Sequence, residues 1–271
     1  MNARTYLFVP GNRPERFDKA LASGADAIVL DLEDAVAAEA KSAAREAIAD
    51  WCSRAQDAER ERIVVRINDA ASTWFADDLR ALHAAGLHRV MMPKAESPQQ
   101  LGEVRGALQG AQVLALIESA QGVANVDAIA ADPCVIRLVF GTLDYALDLD
   151  LNISEQSDGL SFAASRLAIA SRLAGLDSPV AGVTPQIDDE ARLLADHAWA
   201  RRHGLSSKLC IHPKQVTPIH AALAPSLQAI EWARRVLAAE AASPGAAKLG
   251  GRMIDRPVVL QARRTLQRSA G

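Results

Sequence analysis

An α/β fold, a (β/α)8 TIM barrel with a C-terminal helical extension, is what the sequence predicts, and three observations predict it. Short apolar runs alternate with alanine-rich helical stretches along most of the chain, and eight such strand and helix units can be counted. Several helical stretches also end at a glycine suited to a left-handed C-cap, as at Ser23-Gly24, Ala85-Gly86, Ala174-Gly175 and His203-Gly204. A chain of 271 residues, 49% of them hydrophobic, is enough for one large core of barrel size.

The strands are expected at Thr5–Val9, Ala27–Leu32, Ile63–Ile67, Arg89–Met92, Val113–Ile117, Ile136–Phe140, Val180–Val183 and Lys208–Ile211, each short, apolar and rich in branched side chains. Helices are expected between them at Pro14–Ser23, Ala38–Cys52, Trp74–Ala85, Ser97–Gln109, Asn125–Ala131, Gly159–Ala174 and Asp188–His203. After Ile211 the alternation stops. A helix from Pro225 to Ala242, a Ser243-Pro244-Gly245 break, a loop through Gly250-Gly251 and a last helix over Pro257–Gln267 form a tail not needed to close a barrel. The expected division is a catalytic barrel over residues 1–224 and a helical extension over 225–271 that packs on the barrel or on a neighbouring subunit.

Thirty basic and thirty-three acidic side chains leave a net charge of −3, which argues against nucleic acid as the main partner. No apolar run approaches the roughly 18 residues of a membrane span, and MNARTYLFVP has too short an apolar segment for a signal peptide, so a soluble, cytoplasmic protein is expected. Cys52, Cys134 and Cys210 are odd in number and widely spaced, which favours reduced packing residues over disulfides or a zinc site.

In such barrels chemistry sits at the C-terminal ends of the strands, and polar groups collect there. The first strand runs into Pro10-Gly11-Asn12-Arg13, the second into Glu33-Asp34, the third carries Arg66 and Asn68, and the fourth ends at Pro93-Lys94. The fifth ends at Glu118-Ser119, the sixth at Gly141 with Asp144 beyond, and the eighth at His212-Pro213. Glu118 and Asp144, from adjacent strands, are hard oxygen donors that suit Mg2+ with water and substrate completing an octahedron; a helix-terminal carboxylate and a turn residue are the structural alternatives. Arg66 interrupts an apolar strand and needs an anionic partner, either Glu33 or Asp34 or a substrate carboxylate. Arg13, Arg16 and Lys19 read as a solvated basic face or as an anion site, and His212 as a structural residue. Asp31, in DAIVLDLED, is a strand acid with no partner visible in the sequence.

Taken in order, the motifs LFVPGNRPERFDKA, GADAIVLDLEDAV, Lys41 and Arg45, VRIN, MPKAES, LIESAQGVAN, FGTLDYALDL, GLSSKLCIHPKQV and GRMIDRPVVLQAR resemble those of the citrate lyase beta subunit family, the wider group that includes malyl-CoA and citramalyl-CoA lyases. The resemblance covers nearly the whole chain. It implies a Mg2+-dependent carbon–carbon lyase acting between an acyl-CoA thioester and a small 2-oxo acid, with Glu118 and Asp144 as metal ligands and Arg66 binding the oxo-acid carboxylate. Glu33 and Asp34 are implied to orient water and Arg66, Phe8, Arg13 and Lys19 to contact CoA, and Asp255 to act as a tail acid reaching a neighbouring subunit's site in a homo-oligomer, a trimer or hexamer. Where many relatives have Ile-Asp-Gly or Val-Asp-Gly at the end of the seventh strand, this chain has Val180-Ala181-Gly182, a difference expected to bear on substrate choice. The same residues allow an aldolase acting on a free hydroxy-oxo acid without CoA, and a third reading is a non-catalytic subunit of a larger lyase complex.

Overall fold

The computed structural model describes residues 3–153, 158–243 and 248–269. Eight strands form a closed, all-parallel barrel in sequence order: β1 Thr5–Pro10, β2 Ala27–Asp31, β3 Ile63–Arg66, β4 Arg89–Met92, β5 Gln112–Ile117, β6 Val135–Phe140, β7 Val180–Ala181 and β8 Ser207–Cys210, with β8 pairing back onto β1. The predicted alternation is thus realised strand for strand. The strands end one or two residues before the apolar runs do at Leu32, Ile67, Val183 and Ile211, where the loops that carry the polar groups begin.

Alternation along each strand builds two apolar layers from one set of sequences. Tyr6, Val29, Val64, Met91, Leu114, Leu116, Val139, Val180 and Leu209 fill the barrel interior, while neighbours such as Leu7, Ile28, Leu30, Val65 and Phe140 are buried on the other face. The helices between strands are α1 Phe17–Leu21, α2 Lys41–Arg54, α3 Asp57–Arg60, α4 Phe75–Ala84, α5 Pro98–Ala107, α6 Ala120–Ala124, α7 Val126–Ala130, α8 Thr142–Asp148, α9 Ser161–Leu173 and α10 Glu190–Arg202. Two expected helix starts are tighter than an α-helix: Pro14–Arg16 and Ala38–Ala40 are single 3-10 turns leading into α1 and α2. The α6 turn ahead of the expected Asn125 start exists because Ser119 accepts a hydrogen bond from Gly122 N and begins a helix there.

The N-terminal end of the barrel is closed by Arg137 of β6, which is 4% exposed. It donates to Ala3 O at 2.7 Å, Tyr6 Oη at 3.2 Å, Ser178 O at 2.9 Å and Ser207 Oγ at 2.7 Å, all neutral acceptors. The C-terminal ends of β2 and β3 are tied together by a second buried cation. Lys41 Nζ donates to Leu32 O (2.8 Å), Glu33 O (3.0 Å) and Asn68 Oδ1 (2.6 Å), and Asp78 accepts from Asn68 N, Asn68 Nδ2 and Arg45 Nε.

Two compact units are present, Met1–Ile219 and His220–Gly271, dividing inside α11 (Val216–Leu223) and not after it. The second unit is a helical hairpin of α12 Leu227–Ala242 and α13 Arg256–Ser269 around Ala233, Val236, Ile254, Val259 and Ala262. A two-residue antiparallel ribbon, β9 Lys248–Leu249 and β10 Arg252–Met253, turns at Gly250 and Gly251, whose φ angles of 56° and 79° are those a tight hairpin demands. Among the described residues no helix is long and apolar enough to cross a membrane. The three cysteines are buried and free.

Candidate active site

At the C-terminal mouth of the barrel a cavity of about 400 Å³ is lined by side chains from several strand ends, among them Phe8, Asp31, Arg66, Glu118 and Asp144. Asp31 and Arg66 are register partners across β2 and β3 and point inward. Arg66 Nε and Nη2 grip the two Asp31 oxygens at 2.7 and 2.6 Å, and Asp31 also accepts from Glu33 N (2.8 Å) and Ala35 N (3.1 Å). The acid left without a partner by the sequence is therefore the one that holds the arginine side-on and shapes the loop after β2. Arg66 Nη1 lies 2.6 Å from Glu33 Oε2 and 3.3 Å from Asp34 Oδ2, and the guanidinium carbon sits 5.0 Å from the Phe8 ring centroid. Burial works against the charge on Arg66, but Asp31, followed by Glu33 and Asp34, outweighs it and raises the pKa.

Glu33 is buried, not a solvated strand end. Its Oε2 is out of line with the Arg66 N–H, so the 2.6 Å approach is an ion-pair contact and the oxygen has no hydrogen bond. Burial pushes its carboxyl up to about 7 against the opposing pull of Arg66. Glu118, 5% exposed, accepts a hydrogen bond from Lys94 N at 2.8 Å through Oε1. Lys94 adopts φ +44°, a left-handed conformation unusual for a lysine, which aims that N–H at the carboxylate. Burial pushes the Glu118 carboxyl up to about 8; the Lys94 bond opposes this, and Asp144 and Glu33 add to it. Space for Glu118 depends on Gly141, where a Cβ would fall 2.5 Å from both Glu118 Cβ and Oε2. Asp144, in the first turn of α8, is exposed at the cavity edge.

These observations bear on a cation. The mouth holds a carboxylate oxygen with no hydrogen bond and two carboxyls displaced upward by burial in each other's field, an arrangement that a divalent ion relieves. Among the described residues no three His, Cys, Asp or Glu side chains converge as a complete metal cluster. Glu118 and Asp144 line the same cavity, and two carboxylates there fit a donor set that would leave coordination positions for water and substrate, as Mg2+ prefers.

Arg13 and Lys19 are exposed and do not line the cavity; Arg13 Nε pairs with Glu15 at 2.7 Å. Asp255 lies in the second unit, where its Oδ1 accepts from Val258 N at 3.2 Å and caps α13. His212 accepts from Lys214 N through Nδ1 and caps the turn Pro213–Gln215. Ala181, the position expected to bear on substrate choice, is not among the residues lining the mouth cavity; it lines an adjoining small cavity with Lys208, its register partner, and Gly182 and Val183 line both.

A family model for HpcH/HpaI aldolase/citrate lyase matches residues 4–213, the whole span that carries the barrel and its mouth. The chain belongs to this family. HpcH/HpaI aldolase/citrate lyase enzymes are carbon–carbon lyases, and the relatives bear out that membership. A citrate lyase subunit beta-like protein of Mycobacterium tuberculosis is 37% identical over 270 residues, 97% of this chain and 94% of the relative. A (3S)-malyl-CoA thioesterase of Cereibacter sphaeroides is 32% identical over 98% of this chain and 94% of its own. Among solved structures, CitE from M. tuberculosis in complex with magnesium, acetoacetate and coenzyme A superposes with a TM-score of 0.88 at 36% identity, covering 99% of this chain and 98% of the other.

Proposed function

We propose that the chain is a Mg2+-dependent lyase that cleaves, or in reverse forms, a 3-hydroxyacyl-CoA thioester such as citryl-, malyl- or citramalyl-CoA, giving an acyl-CoA and a 2-oxo acid. The observation that carries this reading is the pair Glu118 and Asp144 lining the mouth cavity together with Arg66. The magnesium and coenzyme A bound to the CitE relative, and the thioesterase relative's malyl-CoA substrate, support the choice of cofactor and substrate class.

Glu118 and Asp144 would hold the ion, which when bound supplies Lewis-acid stabilisation of charge developing on substrate oxygen. Arg66, fixed side-on by Asp31, orients the substrate carboxylate with the N–H groups that Asp31 leaves over, so the fork is already set before substrate arrives. Glu33, with its carboxyl near 7, takes the proton of the substrate hydroxyl, directly or through water, and Asp34 keeps Arg66 and that water in place. The C–C bond then breaks, the hydroxyl carbon becomes the oxo acid, and the electron pair passes to the thioester as an enolate. Asp255, delivered by a second copy of the chain in a homo-oligomer, returns a proton to that enolate. Phe8, which lines the cavity beside Arg66, would meet the thioester end, and Arg13 and Lys19, exposed outside the cavity lining, would contribute charge to the rest of the CoA.

The test is to offer citryl, malyl and citramalyl thioesters with Mg2+ and identify the released acid. Cleavage of one of them that disappears in Glu118→Ala supports the reading, and no cleavage of any overturns it. A second reading, an aldolase acting on free hydroxy-oxo acids without CoA, is favoured by the position of Arg13 and Lys19 away from the cavity. Turnover of a free acid at the rate of its thioester would establish it. For Asp255, mixing Asp255→Asn with Glu118→Ala protein is expected to restore activity that neither has alone, since only a mixed oligomer can contain an intact shared site.

A further inference from the structure

Behind the wall of the mouth cavity lies a small annex of about 50 Å³, lined by Ala181, Gly182, Thr142, Asp196, Trp199 and Lys208 among others. It shares Thr142, Leu143, Gly182 and Val183 with the mouth, while Ala181 and Lys208, register partners on β7 and β8, belong to the annex alone.

Around the annex, donors outnumber the acceptors left free to meet them. Lys208 is 2% exposed, and its Nζ donates to Gly182 O as its hydrogen-bond partner. Asp196, whose charge acts on Lys208, gives its hydrogen bonds to other groups: Oδ2 accepts from Thr184 Oγ1 at 2.8 Å and Oδ1 from Nε of Arg192, which also lines the annex, at 2.7 Å. Trp199 Nε1 is buried with no acceptor among the described residues. His197, on the buried face of α10, has neither ring nitrogen hydrogen-bonded among the described residues, and Lys208 is one of its charged neighbours. Across the sheet from Lys208, where a side-chain acceptor would complete the arrangement, Ala181 supplies only a methyl group.

A buried ammonium whose hydrogen bond goes to a neutral carbonyl, beside an indole N–H with no acceptor, is costly unless something further accepts from them. Burial lowers the Lys208 pKa to about 8, against the opposing pull of Cys210 and Asp196. Water can accept hydrogen bonds but brings no charge. A monovalent anion brings both, and the annex has room for one of atomic or triatomic size. We propose that the annex is a binding site for a small monovalent anion of chloride or formate size, held by Lys208 Nζ and Trp199 Nε1–H in the space that Ala181 leaves open. The anion takes the place of a side-chain carboxylate at position 181, and the site is independent of the catalytic cations and acids.

The experiment compares thermal unfolding of the full chain in sodium chloride, sodium formate and sodium gluconate at one ionic strength, gluconate being too large for the annex. Chloride and formate are expected to raise the midpoint by about 4 °C over gluconate, the scale of a ligand bound well above its dissociation constant. Ala181→Asp supplies the carboxylate internally, so its midpoint in gluconate should match or exceed that of the parent in chloride, and its dependence on the anion should vanish. Lys208→Met should also lose the dependence. Excess 35Cl line broadening in the parent protein, displaced by formate and absent from Ala181→Asp, gives a direct readout should the methionine variant fail to fold. Equal midpoints in the three salts, with no chloride broadening, would mean that water alone fills the annex and would overturn the proposal. An anion dependence that survives Ala181→Asp would overturn it equally.

Discussion

The two ends of one barrel interior treat a buried arginine in opposite ways. At the N-terminal end Arg137 is surrounded by carbonyl and hydroxyl oxygens and makes a closed arrangement with neutral partners. At the C-terminal end Arg66 meets Asp31, Glu33 and Asp34, with Glu118 close enough to register the charge of Glu33, so negative charge exceeds positive. Both arginines bridge strands, yet only the second sits in an arrangement that remains incomplete. The lesson is that the closed end can be judged by stability alone, whereas the open end has electrostatic strain that a bound cation and substrate would relieve.

Removing a proposed metal ligand should break the comparison most severely. Glu118→Ala and Asp144→Ala are expected to lower kcat/KM by on the order of 10³ or more, the scale of losing an electrostatic stabiliser of developing charge, with little loss of thermal stability. Steady-state assays and unfolding scans on the same samples check this. Next comes the exchange of the two arginines for methionine. Arg66→Met should cost about 10²-fold or more in kcat/KM as an orienting group is lost. Arg137→Met should instead cost about 3 kcal/mol of stability, because several acceptors lose their donor, while the kinetics of the folded fraction stay unchanged. Equal kinetic damage from both would erase the distinction between the two ends.

Smaller effects sharpen it. Lys41 touches no proposed substrate position but holds Leu32 O, Glu33 O and Asn68 Oδ1, so Lys41→Met should lower activity by about 10- to 100-fold through misplacement of Glu33. A shifted pH profile would separate that from a purely structural loss. The least effect is on stability without metal. Glu33 and Glu118 have folded pKa values of about 7 and about 8, above the ordinary value of 4.5, so the folded protein holds protons that the unfolded chain releases across this interval. Metal-free stability should therefore fall as pH rises from about 4.5 to 8. Glu118→Gln should flatten the fall, and Mg2+ should restore stability at pH 8 in the parent but not in the variant, as a titration of unfolding midpoints would reveal.

Much of this architecture was legible in the sequence because it depends on local pattern. Branched apolar runs such as Ala27-Ile28-Val29-Leu30 and glycines placed to end helices identify strands and helices without long-range information. The polar strand ends identify the mouth for the same reason. What was not legible depends on register. Arg66 was placed beside Glu33 and Asp34 from sequence, whereas its strongest partner, Asp31, follows from which residue of β2 faces which residue of β3. The sequence marks Ala181 as a difference bearing on substrate choice, but its position opposite Lys208 on the outer face depends on the phase of a two-residue strand. Lys41, Asn68 and Asp78 form a network only after α2 and α4 pack against the sheet, and no spacing rule connects them in advance.

The pairing of Asp31 with Arg66 has a consequence for how the barrel assembles. A slip of one residue between β2 and β3 would set Leu32 against Arg66 and turn Asp31 toward an apolar neighbour, leaving two ionised groups without counter-charges in the middle of a forming sheet. The cost of that error is far larger than for a slip between purely apolar strands, which can trade one branched side chain for another. The ion pair that holds the arginine in place therefore also discriminates between correct and mistaken closure during folding. A variant in which both residues are replaced by isosteric neutral side chains should refold with more misregistered, slowly converting species, even where its final stability is close to that of the parent.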